Sequence, residues 1–271
     1  MDDASQSVPG ERESAAPDGS RVRFWRPGDG HFPATVWFGV PTREGGASTG
    51  SYASLNLGLR VGDEERSVLE NRRRLRHATG MADPEPVMVH QVHGATIVTA
   101  GEAARGRLEA DGILVAEGDS WAGVTVADCA PVAIVEENAT RAALLHCGWR
   151  GARDGIPGAA VARLRTAGIE PRHLLAAVGP CLHACCFPVG LEVAAEFDPS
   201  HLRPHPTGQP SLDLPGAIVA ALVRTGLSPD RIVASAECTA CRPERWFSHR
   251  RDKGLTGRHW ALLRIAPPSP R

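Results

Sequence analysis

Between residues 86 and 147 the chain runs through the short apolar segments "PVMVH", "TIVTA", "GILVA", "AGVTVA", "PVAIV" and "AALLHC", punctuated by glycine, proline and acidic residues. Segments of this length, rich in Val and Ile, are built for strands. Several are apolar at consecutive positions, and a strand of that kind needs cover on both faces. "ATVWFGV" (34–40) precedes this block, and "LLAAVG", "RIVAS" and "WALLRI" follow it. Helical spacing is confined to residues 63–79, 152–167, 188–196 and 213–225. The expected fold is α+β, a mixed α/β single domain with strands at the centre and helices outside. Residues 1–20 have no apolar periodicity and read as a disordered tail, leaving 21–271 as the domain.

The 271 residues suffice for a substantial core. A formal net charge of −1 supplies no field to steer a polyanion, so nucleic acid is not an expected partner. No apolar run approaches the roughly 20 residues that span a bilayer, and the acidic, Ser/Pro/Gly-rich start lacks the features of a signal peptide. The expectation is a cytoplasmic protein, a monomer or small homo-oligomer, with no membrane partner. Seven cysteines then read as thiols, ligands or nucleophiles rather than a disulfide framework.

Polar residues interrupt the apolar runs at strand ends. "HQVHG" offers His90 and His93, "ADCAP" offers Asp128 and Cys129, and "LLHCGWRG" offers His146, Cys147, Trp149 and Arg150. Thiolate and neutral imidazole are borderline-soft donors, so a His/Cys/His set suits zinc, with copper as the alternative. Three protein ligands leave a fourth position for water, and zinc brings the pKa of that water towards neutrality. Either histidine of "HQVHG" fits this role by pattern. Cys129 and His146 also fit a metal-free nucleophile and base, and buried Cys and His serve equally as packing residues. Arg43, Arg150, Arg250 and Arg251 are candidate phosphate clamps because guanidinium is a planar two-pronged donor. Asn56, Gln91 and Asp128 are candidates to read base or ribose edges. "CTAC" (238–241) is a CxxC pair, and Cys181, Cys185 and Cys186 are the residues that could complete a tetrahedral four-cysteine zinc site with it.

"TREGGASTGSYASLNLGLRVGDEERSVLENRRRL", "HQVHGATIV", "ADGILV", "VTVADCAPVAIV", "LLHCGWRGARDGI", "AAVGPC" and "FSHRRDKGLTGR" occur in this order from residue 42 to 258. Together they resemble the YfiH-like laccase-domain family, also called multicopper polyphenol oxidoreductases. The resemblance implies a fold like the cytotoxic necrotizing factor catalytic domain, with sheets packed together and helices outside. It implies a zinc held by His93, Cys129 and His146. It also implies purine nucleoside chemistry: phosphorolysis of adenosine, inosine and methylthioadenosine, and deamination of adenosine, with phosphate as co-substrate. Older descriptions of the family imply copper-dependent oxidation of polyphenols, and some members are linked to peptidoglycan editing. His249 stands where the family pattern has tyrosine. The catalytic set expected is Cys129, His146, His93 and Asp128, with Asp128 as a proton relay. A multicopper centre requires more clustered histidines than this set contains.

Overall fold

The structure is a computed structural model that describes residues 11–15, 21–82, 84–106 and 108–267. Strands β1 (Glu11–Ala15), β2 (Arg21–Trp25) and β3 (Val36–Pro41) lead to helix α1 (Glu65–Thr79). Next come β4 (Val87–Met88), β5 (Ile97–Thr99), α2 (Ala100–Arg105), β6 (Gly112–Ala116), β7 (Ala122–Val126), β8 (Ala130–Glu136) and β9 (Arg141–Cys147). Helices α3 (Trp149–Arg153) and α4 (Ile156–Thr166) precede β10 (Leu174–Val178) and α5 (Leu191–Ala194). The chain continues through β11 (Leu202–Pro204), β12 (Pro210–Leu212), α6 (Leu214–Arg224), β13 (Ile232–Ala234) and β14 (His259–Ile265).

Two six-stranded sheets form the body, ordered β1-β2-β3-β14-β7-β4 and β13-β10-β8-β9-β6-β5, with β11 and β12 as a separate pair. Both sheets mix parallel and antiparallel neighbours. The period-two geometry of a strand explains the continuous apolar runs. Val132 and Ile134 of β8 pack with Ile156 and Leu164 of α4 and Ile218 of α6. The intervening Ala133 and Val135 pack with Phe38, Val124 and Leu263 of the other sheet. On β14, Leu263 faces that interior, while Trp260 and Leu262 face outward and join Leu75 of α1 and Leu55 and Leu57 of the segment before it. The layers are therefore helix, sheet, sheet, helix, as expected of an α+β domain with sheets packed together. Truncating a residue such as Leu144, fully buried between the sheets, costs about 2–5 kcal/mol.

Local deviations from the sequence reading have physical causes. Glu11–Ala15 is a strand, not part of a disordered tail; it pairs antiparallel with β2 at the sheet edge. Its alternating charges carry no apolar signal, yet they suit an edge: Glu13 pairs with Arg21 at 3.0 Å and the Ser14 hydroxyl donates to Ala78 O at 2.7 Å. Residues 1–10 and 16–20 of the same stretch lie outside the described residues. The helix expected over 152–167 is two helices, separated at Gly155, whose φ of +80° suits glycine. Only Leu191–Ala194 is helical within 188–196, because Pro188 is bridged to Ser211 and Gly190 is extended. Helix α1 begins at Glu65 and ends at Gly80, whose left-handed φ of 66° closes it as expected.

Candidate functional site

The site lies where the chain crosses from β7 of one sheet to β8 of the other. Ala127, Asp128 and Cys129 make this crossing, and β8 then pairs with β9 so that Ala130 faces Cys147 and Pro131 faces His146. Cys129 is thus placed one step beyond the ladder, beside His146. His93 arrives from the loop after β4, in a left-handed conformation with φ 64°. One donor atom from each of His93, Cys129 and His146 lies within 4.8 Å of the others. The two imidazole rings meet edge to face at 4.8 Å between centroids.

Asp111, which was not among the residues singled out above, organises this triad. It is fully buried and its Oδ1 lies 2.7 Å from His146 Nδ1. Its carboxylate also accepts the backbone N–H groups of Val92 (3.1 Å), His93 (3.0 Å) and Gly94 (2.7 Å). One side chain therefore fixes both the left-handed loop and the orientation of His146, leaving the Nε2 of that ring to face the sulfur. Metal-ligating histidines are held in this way by an acceptor on the far nitrogen. Gly148 closes the other side: a Cβ there would sit 2.8 Å from Cys129 Sγ.

Electrostatics favour a thiolate. Burial would raise the Cys129 thiol, but the charge of His146 and hydrogen bonds from His146 and His93 bring it down to about 6. Burial would lower His146, but the Cys129 charge and the Asp111 hydrogen bond raise it to about 9. The neighbouring Cys147 is pushed upward by burial and by the Cys129 charge, so it stays a protonated core thiol. Deprotonated sulfur beside two imidazoles is the donor chemistry of zinc, and the three residues fit a metal.

The triad opens into a cleft of about 1060 Å³. Leu57, Leu59, Met88 and Trp260 contribute apolar wall, and Arg150, Arg250, Arg258 and His249 contribute polar groups. Arg150 stacks on Trp149 at 4.3 Å, and Arg250 lies over Phe187 at 5.0 Å. Arg258 was missed in the sequence, where it follows a glycine-rich turn. Burial lowers its pKa, and the charges of Asp128 and Cys129 partly offset this.

Other candidates stand elsewhere or are already engaged. Arg43 does not line the cleft; it donates to Ala53 O (2.5 Å) and Pro243 O (2.9 Å) and stacks on Phe247 at 4.4 Å. Arg251 likewise points away, donating to Thr239 O and Trp246 O and pairing with Asp252. Asn56 is fully buried beneath the cleft and accepts the Arg258 backbone N–H at 2.9 Å. Arg43, Asn56 and Arg251, expected as substrate contacts, are thus engaged in the fold's own hydrogen bonds, since fork-like donors and amides satisfy backbone groups as readily as ligands. Gln91 does line the cleft, but its amide exchanges two hydrogen bonds with the Thr125 backbone, at 2.8 and 2.7 Å. Asp128 lines it too, with φ 89°, and each carboxylate oxygen accepts a bond at 2.6 Å, from Thr239 Oγ1 and Arg250 N. His90 lines the cleft without joining the triad.

Comparison with known proteins is consistent with this geometry. The family model described as multi-copper polyphenol oxidoreductase laccase matches residues 37–266. The chain is 36% identical over 242 residues to the purine nucleoside phosphorylase YlmD of Geobacillus stearothermophilus, covering 83% of this chain and 88% of that protein. It is 36% identical over 256 residues to a Pseudomonas aeruginosa protein also named a purine nucleoside phosphorylase, covering 89% and 98%. The crystal structure of YlmD from Geobacillus stearothermophilus superposes with a TM-score of 0.81 at 34% identity, over 90% of this chain and 96% of that one. The Bacillus licheniformis YfiH structure superposes with the same score at 27% identity over the same shares. The chain belongs to the multi-copper polyphenol oxidoreductase laccase family, of which the YfiH-like proteins are structural neighbours.

Proposed function

We propose that this chain is a zinc-dependent purine nucleoside phosphorylase that acts on adenosine, inosine and methylthioadenosine and also deaminates adenosine. The observation that carries the reading is a His93–Cys129–His146 donor set at the wall of a cleft that also presents Arg150, Arg250 and Arg258. The relatives' names support the same substrate class.

Phosphorolysis forms a bond from a phosphate oxygen to ribose C1′ as the C1′–N9 bond breaks. The purine leaves with the electron pair and takes up a proton. Arg150, Arg250 and Arg258 are the groups to hold the phosphate, since stacked or buried guanidinium presents a fixed fork. Leu57, Leu59, Met88 and Trp260 give the flat purine an apolar seat. His90 and His249 line the same cleft and can deliver the proton to the departing base. Zinc held by His93, Cys129 and His146 supplies Lewis-acid polarisation to the reacting group. Asp128 acts as a positioning residue for the Cys129 turn, because both of its oxygens are engaged.

A three-donor centre has room for water as a further ligand, and this supports the deaminase half of the reading. Copper oxidation of phenols is less well supported. Among the described residues, the metal-competent groups are this triad, with two histidines, and a four-cysteine cluster with none, too few clustered histidines for a multicopper centre. A cytoplasmic setting suits both the nucleoside substrates and the reduced thiols.

The test is a product assay on adenosine with and without phosphate, run anaerobically on the wild type and on Cys129→Ala. Adenine with ribose 1-phosphate marks phosphorolysis, and inosine marks deamination. Full activity in Cys129→Ala, or turnover only with oxygen, would refute the reading. Activity that survives chelation but not alkylation would instead make Cys129 a nucleophile.

A further inference from the structure

Beyond the cleft, four of the remaining cysteines converge. Cys185 and Cys186 sit in the loop after β10, and Cys238 and Cys241 in the loop after β13. Their sulfurs all lie within 4.8 Å of one another, with Cys186 to Cys241 at 3.3 Å and Cys185 to Cys241 at 3.5 Å. A tetrahedral zinc tetrathiolate has Zn–S bonds of about 2.3 Å and hence sulfurs about 3.8 Å apart. All four sulfurs at once lie close enough to close on one such ion. A disulfide would join only two of them, at about 2.05 Å.

The backbone is also arranged for a metal. Cys181 and Cys238 form an isolated parallel bridge, and Thr239 N donates to Cys181 O at 2.9 Å, so the two loops run side by side. Cys241 N donates to Cys238 O at 3.2 Å, which closes the CxxC turn. Cys181 itself is fully buried in the apolar core and stays outside the set.

We propose that Cys185, Cys186, Cys238 and Cys241 form a second, structural zinc site. Zinc displaces the four thiol protons to give a closed tetrathiolate with no open position, a stabilising rather than a catalytic centre. Its place in the fold gives it a purpose. Thr239, inside the CTAC turn, donates to Asp128 Oδ1, and Leu182 N, next to Cys181, donates to Asp128 O at 2.9 Å. The clamp therefore braces both sides of the strained turn that presents Cys129.

The experiment measures zinc per chain by elemental analysis in anaerobically purified wild type, in Cys185→Ser/Cys241→Ser and in Cys129→Ala. Cys185 and Cys241 are both exposed, so the double variant keeps the core intact, and circular dichroism checks that it folds. The double variant is expected to hold one zinc fewer than the wild type. Cobalt-loaded Cys129→Ala is expected to show the intense visible and charge-transfer bands of a tetrathiolate, and these bands vanish when Cys185→Ser/Cys241→Ser is added. Equal zinc in wild type and double variant, absence of those bands, or a disulfide among these residues in the reduced preparation would overturn the proposal. The Cys129 arm reports on the cleft separately, so failure of one site leaves the other standing.

Discussion

His146 and Asp111 are joined by a 2.7 Å contact between Nδ1 and Oδ1, in a pocket where Asp111 is fully buried and His146 nearly so. The same carboxylate binds three consecutive backbone N–H groups of the loop that carries His93. The geometry of the His93–Cys129–His146 donor set thus depends on an aspartate that lies outside it. Asp111→Asn keeps the shape but replaces an acceptor with a donor amide on one side. It is expected to weaken zinc affinity by about 10- to 100-fold, measured by competition with a chromogenic chelator. Asp111→Ala leaves the N–H groups and the imidazole without their partner and is expected to cost about 3 kcal/mol or more of stability. Unchanged affinity in Asp111→Asn would show that the loop holds itself.

Gly148 is expected to be intolerant of even one methyl group. Its φ of −80° is open to any residue, so backbone strain is not the reason. A Cβ would lie 2.8 Å from Cys129 Sγ and 3.5 Å from His93 Cδ2. Gly148→Ala should therefore fold normally but lose zinc and activity together. Metal content alongside a thermal melt distinguishes this from general destabilisation, which would lower the melting temperature while the folded fraction kept its metal.

A cleft arginine and the loop arginine should differ in their effect on phosphate. Arg258→Gln is expected to raise KM for phosphate at least tenfold and also to lose some stability, since its guanidinium donates to Thr256 O and Gly257 O at 2.9 Å. Arg43→Gln is expected to leave that KM unchanged and to cost about 1 kcal/mol, because the part-buried Ala53 carbonyl loses its donor and the Phe247 ring its stacked guanidinium. Steady-state phosphate titrations and urea unfolding of both variants provide the check. A phosphate defect confined to Arg43→Gln would reverse the placement.

That contrast shows which part of the site the sequence could disclose. The strands around Cys129 and His146 were legible because double-sided burial leaves continuous Val, Ile and Ala runs, and an Asp-Cys or His-Cys pair stands out against them. The choice between His90 and His93 rests on the family resemblance, and it is His93 whose ring lies beside Cys129 and His146. Asp111 was not legible in the same way: its partners are backbone amides, which leave no side-chain pattern to read. Arg43 and Arg258 are indistinguishable as letters, since each follows or precedes glycine-rich chain, and only the packing of Phe247 and Asn56 separates their roles. Edge strand β1 was hidden for a related reason, because a ladder at a sheet edge is built from main-chain bonds and tolerates "ERESA".

His259 supplies a pH dependence distinct from the His93–Cys129–His146 triad. The ring is buried on β14, and its Nε2 accepts the Phe247 N–H at 2.8 Å, which requires the neutral form. Burial, aided by the positive charge of Arg43, lowers its pKa to about 3. An unfolded chain has the ordinary histidine value of about 6.5, so between pH 6.5 and 3 the unfolded state binds the extra proton. Stability from this residue is therefore complete above pH 6.5 and is lost as pH falls below it, by at most about 1.4 kcal/mol per pH unit. His259→Gln keeps an acceptor and cannot titrate. Urea unfolding of wild type and variant at a series of pH values from 7.5 to about 5 should show the wild type losing stability faster than His259→Gln as pH falls. Parallel curves would mean that the folded ring takes up a proton as readily as the unfolded one, so that the Phe247 bond does not hold it neutral.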